Sequence, residues 1–358
     1  IDGILHERLA LPKKVHDAVS SRIKILADMK IDEKRIPQDG RFSFSTGDQE
    51  VDLRVSSLPT VYGEKIVMRL LKKSGGVPTL QELGLRGTAL KNLENATLRP
   101  HGIILITGPT GSGKTSTLYS LLTKLNTSKV NIVTLEDPVE YQIGGVNQVQ
   151  INPAAGLTFA SGLRSFLRQD PNIIMVGEIR DTETTDLAIQ AALTGHLVFS
   201  TLHTNNASGA LPRLLDMHAE PYLVASALNA IVGQRVVRRI CNFCKEEYEP
   251  PESIVADLKL ILGKLFPIVQ EPKNSKLVLY KGKGCEECSQ TGYQGRIGVF
   301  EVLPINEKIG RLVLEHASTS DIESKAIEEG MITMKQDGYL KIIEGITTVE
   351  EVLRVAQD

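Results

Sequence analysis

The sequence contains no tryptophan, and aromatic residues make up 4% of its 358 positions. Base-stacking sites for single-stranded nucleic acid are built from aromatic side chains, so this scarcity argues against such a site. A basic excess is also lacking, because 41 Lys and Arg stand against 43 Asp and Glu, for a formal net charge of −2. Nucleic-acid-binding domains usually carry a basic excess, and we therefore expect no nucleic acid partner.

Long apolar runs are missing as well. No stretch approaches the roughly 18 residues that a membrane-spanning helix needs, and we expect no direct membrane insertion. The chain begins at Ile1 without Met and without a secretory signal, so we expect an N-terminal segment to precede it. Any membrane attachment would then come from that segment or from a partner.

A glycine-rich run is the strongest positive feature. Gly108-Pro-Thr-Gly-Ser-Gly-Lys-Thr115 follows an apolar stretch at 103–107 and precedes a segment with helical leucine spacing. This is the P-loop pattern GxxxxGK[ST] in its strand–turn–helix setting. Its glycines let backbone N–H groups surround phosphate oxygens, Lys114 would neutralise the β- and γ-phosphates, and Thr115 would bind Mg²⁺. The predicted ATP contacts are Gly108, Pro109, Thr110, Gly111, Ser112, Gly113, Lys114, Thr115 and Ser116.

Two acidic segments follow. The run Thr134-Leu-Glu-Asp-Pro-Val-Glu140 places carboxylates at the carboxyl end of a predicted core strand, where parallel sheets bind ligands. We assign Glu140 as the base that orients or deprotonates the attacking water; the alternative is a solvated acidic loop. The run Ile173-Ile-Met-Val-Gly-Glu178 resembles a Walker B strand with glycine in place of the usual aspartate. Glu178 would then supply the charge near Mg²⁺ or act beside Glu140, and an ion pair with Arg180 is the alternative.

Two histidines flank the next predicted strand, at 197–201. His203 follows the carboxyl end of this strand, where a γ-phosphate sensor would lie, and we predict that it contacts the nucleotide. His196 lies at the other end, which favours a structural or interface role.

All four cysteines occur in two pairs, Cys241-Asn-Phe-Cys244 and Cys285-Glu-Glu-Cys288. Two C-x-x-C knuckles suit tetrahedral thiolate coordination of Zn²⁺, because each supplies two sulfurs from a tight turn. Disulfides are disfavoured, since an ATP-using chain without a signal peptide lies in a reducing compartment. We predict a structural zinc site at Cys241, Cys244, Cys285 and Cys288.

We expect two domains. Residues 1–74 read as a small α+β unit, with a helix at 12–29 and a hairpin at 41–57. The predicted apolar face of the helix contains Val15, Ala18, Val19, Ile23 and Leu26. The Lys, Gly and Pro residues of 72–78 are typical of a linker.

Residues 75–358 read as an α/β domain. Its predicted parallel sheet has helices on both faces, and it carries a zinc insert at 236–292 and a helical tail at 293–358. The predicted strands are 103–107, 130–135, 173–176 and 197–201, and a helix is predicted at 182–194.

The alternation of apolar residues sets the register of the hairpin. Phe42 and Phe44 should share a face with Leu53 and its apolar neighbours, so that even positions before the turn pair with odd positions after it. Arg41 then lies opposite Arg54. Like charges in that position are destabilising unless an anion completes the pair, the alternative being neutralisation by Asp52.

Together these motifs resemble the secretion and pilus-assembly ATPase family, the hexameric motors of type II secretion and type IV pili. The resemblance covers essentially the whole chain. It rests on the Walker A run, the aspartate box at 134–141, the Walker B segment at 173–181, the histidine box at 195–205 and the tetracysteine element. Gly177 in the Walker B strand is usual for this family.

The resemblance implies a RecA-like ATPase domain joined to a PAS-like second N-terminal domain. It also implies ATP, Mg²⁺ and Zn²⁺ as ligands and a cytoplasmic homo-hexamer, peripheral to the inner face of the cell membrane. An inner-membrane platform protein and associated assembly proteins would bind through a more distal N-terminal domain. ATP hydrolysis would drive subunit rotation that loads pilin-like subunits into a fibre.

Finer assignments also follow from the resemblance. Arg41 and Arg54 would reach the ATP phosphates in the same subunit or across a ring interface, with Arg69 as a third candidate. The two cysteine pairs exclude the retraction motors, and the stretch at 292–306 favours pilus extension over type II secretion. A nucleic-acid translocase and a scaffold that does not hydrolyse ATP remain as alternatives. Lys114, Glu140 and Glu178 argue against the scaffold.

Overall fold

The computed structural model describes residues 5, 7–46, 49–72, 76–266 and 277–356. Residues 47–48 of the predicted turn and 73–75 of the predicted linker lie outside this part. The chain divides into two compact units between Gly76 and Val77, next to the boundary expected after residue 74, and Glu140–Gln142 group with the N-terminal unit.

The N-terminal unit contains helix α1 (His16–Leu26) and a three-stranded antiparallel sheet. Its strands are β1 (Gln38–Thr46), β2 (Gln49–Thr60) and β3 (Gly63–Lys72), in that order. Phe42 pairs with Leu53, and Arg41 pairs with Arg54, so the predicted hairpin register is confirmed.

The predicted apolar face of this helix is largely wrong. Val15, Ala18, Val19 and Leu26 are exposed, whereas Ile23 packs against the core of the unit as predicted. The buried residues of α1 are Ser20 and Lys24. Lys24 can be buried because its ammonium is paired with a carboxylate, that of Glu64, at 2.5 Å. The Ser57 hydroxyl also donates to that carboxylate at 2.9 Å. Burial raises the pKa of Glu64, but the hydrogen bonds from Lys24 and Ser57 outweigh it, so the net shift is downward.

The C-terminal unit alternates strands and helices. Its first half contains α2 (Gly87–Thr97), β4 (Gly102–Thr107), α3 (Lys114–Leu125), β5 (Ile132–Glu136), β6 (Asn147–Gln150), α4 (Phe159–Phe166), β7 (Ile173–Val176), α5 (Thr182–Leu193) and β8 (Leu197–Leu202). Its second half contains α6 (Ala210–Asp216), α7 (Pro221–Ala227), β9 (Leu228–Ile240), β10 (Lys245–Tyr248), α8 (Glu252–Leu262), β11 (Leu279–Gly282), β12 (Tyr293–Pro304), α9 (Glu307–Leu314), α10 (Thr319–Glu328), α11 (Met334–Ile343) and α12 (Val349–Ala356).

The main sheet has the order β12-β9-β4-β8-β7-β5-β6 within the described residues. Adjacent strands are parallel throughout, except that β12 runs antiparallel to β9. Every residue of β4, β5, β7 and β8 is buried, as expected for a parallel sheet covered on both faces. The predicted α/β class is therefore confirmed. In the described part of the chain, the helices are too short or too polar to cross a bilayer.

Two boundaries differ from those predicted. The zinc insert cannot begin at 236, because β9 continues in the main sheet to Ile240. The tail from 293 is not entirely helical, since it opens with β12, which pairs with β9. Valine and isoleucine recur in both segments and favour strands. The cysteine-bearing segment, with β10, α8 and β11, lies between these strands.

We predict that Lys24→Met strongly destabilises the N-terminal unit. Removing the ammonium leaves the Glu64 carboxylate buried and unpaired, which costs about 3–5 kcal/mol in comparable sites. Native-state hydrogen exchange of the β2 amides measures this loss, and Lys14→Met, at an exposed position, is the control. Equal protection in the two variants would contradict the prediction.

Candidate functional site

The P-loop connects β4 to α3 in the C-terminal unit. Gly111 and Gly113 have φ angles of 80° and 88°, a region that glycine adopts without strain. Lys114 begins α3, so the loop ends where unpaired backbone N–H groups and the helix dipole favour an anion. The predicted strand–turn–helix setting is therefore present, and its chemistry fits the phosphates of a nucleotide.

The Lys114 ammonium folds back over this loop. It donates to the carbonyl oxygens of Gly108 at 2.8 Å and Pro109 at 3.1 Å. Burial lowers the pKa of Lys114, whereas the nearby negative charge of Glu178 raises it. Phosphate oxygens would be stronger partners for this ammonium than the two carbonyls, because charge-assisted hydrogen bonds are stronger than those to neutral acceptors.

Glu178 and His203 follow the neighbouring strands β7 and β8. The Glu178 Oε2 lies 3.5 Å from His203 Nε2, and its Oε1 lies 2.5 Å from an Arg180 Nη atom. The Glu178 side chain is 12% exposed. The structure therefore brings together Glu178 and His203, and it also contains the ion pair with Arg180 that the sequence left as an alternative.

Packing favours the glycine that precedes Glu178. A Cβ at Gly177 would lie 3.1 Å from the Leu135 carbonyl oxygen of β5, a tight contact with the backbone. The usual Walker B aspartate would therefore require the strands to shift, and the next residue carries the charge instead.

The carboxylates of the aspartate box at 134–141 were expected to cluster, but Glu136 and Glu140 belong to different compact units. Glu136 is 3% exposed and accepts hydrogen bonds from Thr134 Oγ1 at 2.6 Å and Gln148 Nε2 at 3.1 Å, as well as from the Tyr119 hydroxyl. These neutral donors hold Glu136 in a structural role. Glu140 belongs to the segment that groups with the N-terminal unit, and its role as the base stays a prediction.

The two histidines occupy opposite ends of β8, as predicted. The His196 Nδ1 lies 2.8 Å from the Ala191 carbonyl oxygen, which ties the ring to the end of α5 and supports a structural role.

Arg235 on β9 is a neighbour of the site that sequence reasoning missed. Its guanidinium donates to the Asn205 carbonyl at 3.2 Å and to the side-chain oxygen of that residue at 3.3 Å. Its positive charge also contributes to the lowered pKa of Lys114. The signal that points to it in the sequence is the polar pair Gln234-Arg235 inside an otherwise apolar stretch.

The four cysteine sulfurs all lie within 4.8 Å of one another. Measured separations are 3.8 Å for Cys241–Cys285, 3.8 Å for Cys244–Cys288 and 3.7 Å for Cys285–Cys288. Four thiolates about 2.3 Å from a tetrahedral Zn²⁺ would be separated by about 3.8 Å. The cysteines are free thiols, and their spacing fits the predicted metal.

The cysteine environments differ in how they affect ionisation of the thiols. Burial opposes ionisation of Cys288, but the backbone N–H groups of Cys285 and Gly292 donate to its sulfur and lower its pKa to about 6. Burial raises the pKa of Cys244 to about 12. Zn²⁺ would hold these sulfurs as thiolates, and four sulfur ligands leave no open coordination position for catalysis.

A family model described as Type II/IV secretion system protein matches residues 1–354. The type IV pilus assembly ATPase PilB of Thermus thermophilus is 48% identical over 353 residues, covering 99% of this chain and 39% of that protein. The type II secretion system protein E of Pseudomonas aeruginosa is 46% identical over 358 residues, covering 100% of this chain and 69% of that protein. The chain thus spans only part of the length of these relatives.

A solved structure described as the pilus retraction motor PilT with bound ADP is also similar. It shares 27% sequence identity and a TM-score of 0.63, with 90% of this chain and 78% of that chain covered. The similarity extends over most of both chains.

We predict that the protein purified without chelators carries one Zn²⁺ per chain and that Cys285→Ser loses it. Removal of one thiolate opens the tetrahedral site, so the melting temperature should fall together with the zinc content. Elemental analysis and thermal denaturation measure the two effects. Glu287→Ala, an exposed change in the same knuckle, is the control. A folded wild-type protein with far less than one equivalent of zinc would contradict the prediction.

Proposed function

The chain belongs to the Type II/IV secretion system protein family, and from that premise we propose that it is the ATP-hydrolysing part of a motor for type IV pilus assembly. One observation carries the proposal: the P-loop with Lys114 follows β4, while Glu178 and His203, 3.5 Å apart, follow β7 and β8 of the same parallel sheet. A phosphate-binding cation and a carboxylate in that arrangement suit phosphoryl transfer from a bound nucleotide.

Each group has a distinct role in this proposal. Lys114 would bind and neutralise the β- and γ-phosphates, and the Thr115 hydroxyl would hold Mg²⁺ at the start of α3, where the ion would offset the charge of the phosphates. Glu178 would add negative charge beside the metal. His203, whose Nε2 lies 3.5 Å from the Glu178 carboxylate, would sense the γ-phosphate. Glu140 orients and deprotonates the attacking water.

The assembly proposal follows from the family. Six copies would form a cytoplasmic ring that is peripheral to the inner face of the cell membrane. A platform protein would bind through a segment outside the present chain. The cysteine cluster would hold Zn²⁺ as a structural element of each subunit.

Type II secretion is the second candidate function. It is favoured by the 46% identity to a type II secretion protein E across the whole of this chain. The two candidates share the same hydrolytic site and differ in the fibre that the motor assembles. Type IV pilus assembly is placed first because the stretch at 292–306 resembles the pilus-extension branch.

We predict Mg²⁺-dependent ATP hydrolysis that Lys114→Ala lowers about 100-fold or more, because this ammonium stabilises charge on the transferred phosphoryl group. Glu140→Gln should still bind ATP but turn over about 10²–10⁴-fold more slowly, since the amide cannot accept the proton of water. Steady-state phosphate release and ATP-binding titrations measure these effects. The control is Lys129→Ala, an exposed lysine of the same unit. Hydrolysis by Glu140→Gln at the wild-type rate would contradict the assignment of the base.

The arginines of the N-terminal sheet support a further element of this function. Arg54 lies opposite Arg41 on one side and opposite Arg69 on the other, so three guanidinium groups cross one face of the sheet. Like charges in directly opposite positions repel, and an anion relieves that repulsion. We propose that Arg41 and Arg54 bind the ATP phosphates during hydrolysis, with Arg69 in support. Neutralisation by Asp52 is the competing explanation, because Asp52 lies two positions before Arg54 on β2 and therefore on the same face of the sheet.

We expect Arg41→Ala and Arg54→Ala each to lower the turnover number about 10³-fold or more, with a smaller loss of ATP affinity, as for arginine fingers. Lys65→Ala is the matched control, because Lys65 lies on the same face of the sheet, opposite Leu58. Steady-state kinetics at saturating ATP decide the matter. Near-normal turnover in both arginine variants would reject their catalytic role.

A further inference from the structure

Gln234 places a buried amide directly behind the P-loop. The residue lies on β9, is 2% exposed, and follows Gly233, which pairs with the last residue of β4. Its Nε2 donates to the Ser112 carbonyl oxygen at 2.8 Å, and its Oε1 accepts from the Thr117 hydroxyl at 2.8 Å. One side chain therefore connects the phosphate-binding loop with the first turns of α3.

The two bonds require an amide. The Ser112 carbonyl can only accept, so its partner must donate, while the Thr117 hydroxyl uses the oxygen at the other end of the amide. A glutamate at this position would set one carboxylate oxygen against the Ser112 carbonyl. The Gln234 amide also lies against the loop itself, because a Cβ at Gly113 would lie 2.8 Å from the Gln234 nitrogen.

The bond to Ser112 also sets the direction of the next N–H group. The C=O and N–H of a trans peptide point in opposite directions, so a Ser112 carbonyl held toward β9 turns the Gly113 N–H away from β9. Backbone N–H groups of a P-loop bind phosphate oxygens in that way. Gln234 thus acts on the nucleotide through the loop and does not need to touch it.

We propose that Gln234 is a positioning residue that holds the P-loop in its phosphate-binding conformation. This inference rests on the proposed function, since it assumes that the loop binds ATP. The affected N–H groups contact phosphate before and during the reaction. Their displacement therefore weakens ground-state and transition-state binding alike, raising KM more than it lowers kcat.

The same strand offers a matched control in Asn229. This amide is 5% exposed, and its Nδ2 donates to the His101 carbonyl at 2.9 Å, just before β4 begins. Its oxygen accepts from Arg99 at 3.1 Å. Asn229 therefore ties β9 to the opposite end of β4 with similar chemistry and without contact to the P-loop.

The experiment compares Gln234→Glu with Asn229→Asp in the intact chain. Binding of a fluorescent methylanthraniloyl-ATP, steady-state ATP kinetics and melting temperatures are measured for both. Each change turns a buried donor into an acceptor and should lower the melting temperature. Gln234→Glu should raise Kd and KM about 10-fold or more, the effect of an unsatisfied buried polar group, with a smaller change in kcat. Asn229→Asp should leave Kd and KM near the wild-type values.

Gln234→Met serves if the glutamate variant does not fold, because it keeps the length of the side chain and removes the amide without adding charge. It should also raise Kd and KM. Nucleotide constants of Gln234→Met or Gln234→Glu that equal those of Asn229→Asp would overturn the positioning role. A wild-type chain that neither binds nor hydrolyses ATP would instead refute the proposed function.

Discussion

The parallel register of β4, β8 and β7 is the constraint on which the candidate site depends. Leu197, the first residue of β8, pairs with Gly102 at the start of β4 and with Ile173 at the start of β7. Strands that start together and run the same way bring their carboxyl ends to one edge of the sheet. The P-loop, Glu178 and His203 each follow one of these ends. Their proximity is therefore a property of the strand pairing, although they are far apart in the sequence.

β9 extends that arrangement on the other side of β4, to which it is parallel. Near its middle it supplies Gln234 and Arg235, which hold the P-loop and the loop after β8. At its end it leads into Cys241, whose N–H donates to the Gly292 carbonyl at 3.0 Å, just before β12. The cysteine cluster thus closes the far end of the β9–β12 hairpin. A metal in that cluster would stabilise the end of β9, the strand that also carries Gln234 beside the P-loop.

The N-terminal unit shows how a small sheet separates two tasks between its faces. Alternation along β2 turns Leu53 and Val55 into the core and Arg54 to the other face. The core is partly polar, since Lys24 and Glu64 form a buried ion pair in which each charge has further hydrogen bonds. Such a pair fixes the position of α1 on the sheet, because any shift of the helix would leave a charge without its partner.

Local patterns in the sequence were sufficient for much of this protein. Period-two alternation determined the hairpin register and hence the pairing of Arg41 with Arg54. The glycine-rich run determined the turn between β4 and α3, because left-handed backbone angles are open to few other residues. The paired C-x-x-C segments determined the thiol cluster, because each knuckle brings two sulfurs together within a few residues.

Only the tertiary structure decided the features that depend on contacts between distant segments. Helical periodicity placed Ile23 correctly but missed the buried Lys24 of α1, because its partner Glu64 lies on β3. The sequence likewise could not show that the Glu136 carboxylate accepts hydrogen bonds from Tyr119 and Gln148, or that β9 and β12 join the main sheet. Gln234 was not recognisable for the same reason. A buried amide gains its role from the carbonyl and hydroxyl that face it. These groups belong to residues that are 117 and 122 positions away in the sequence.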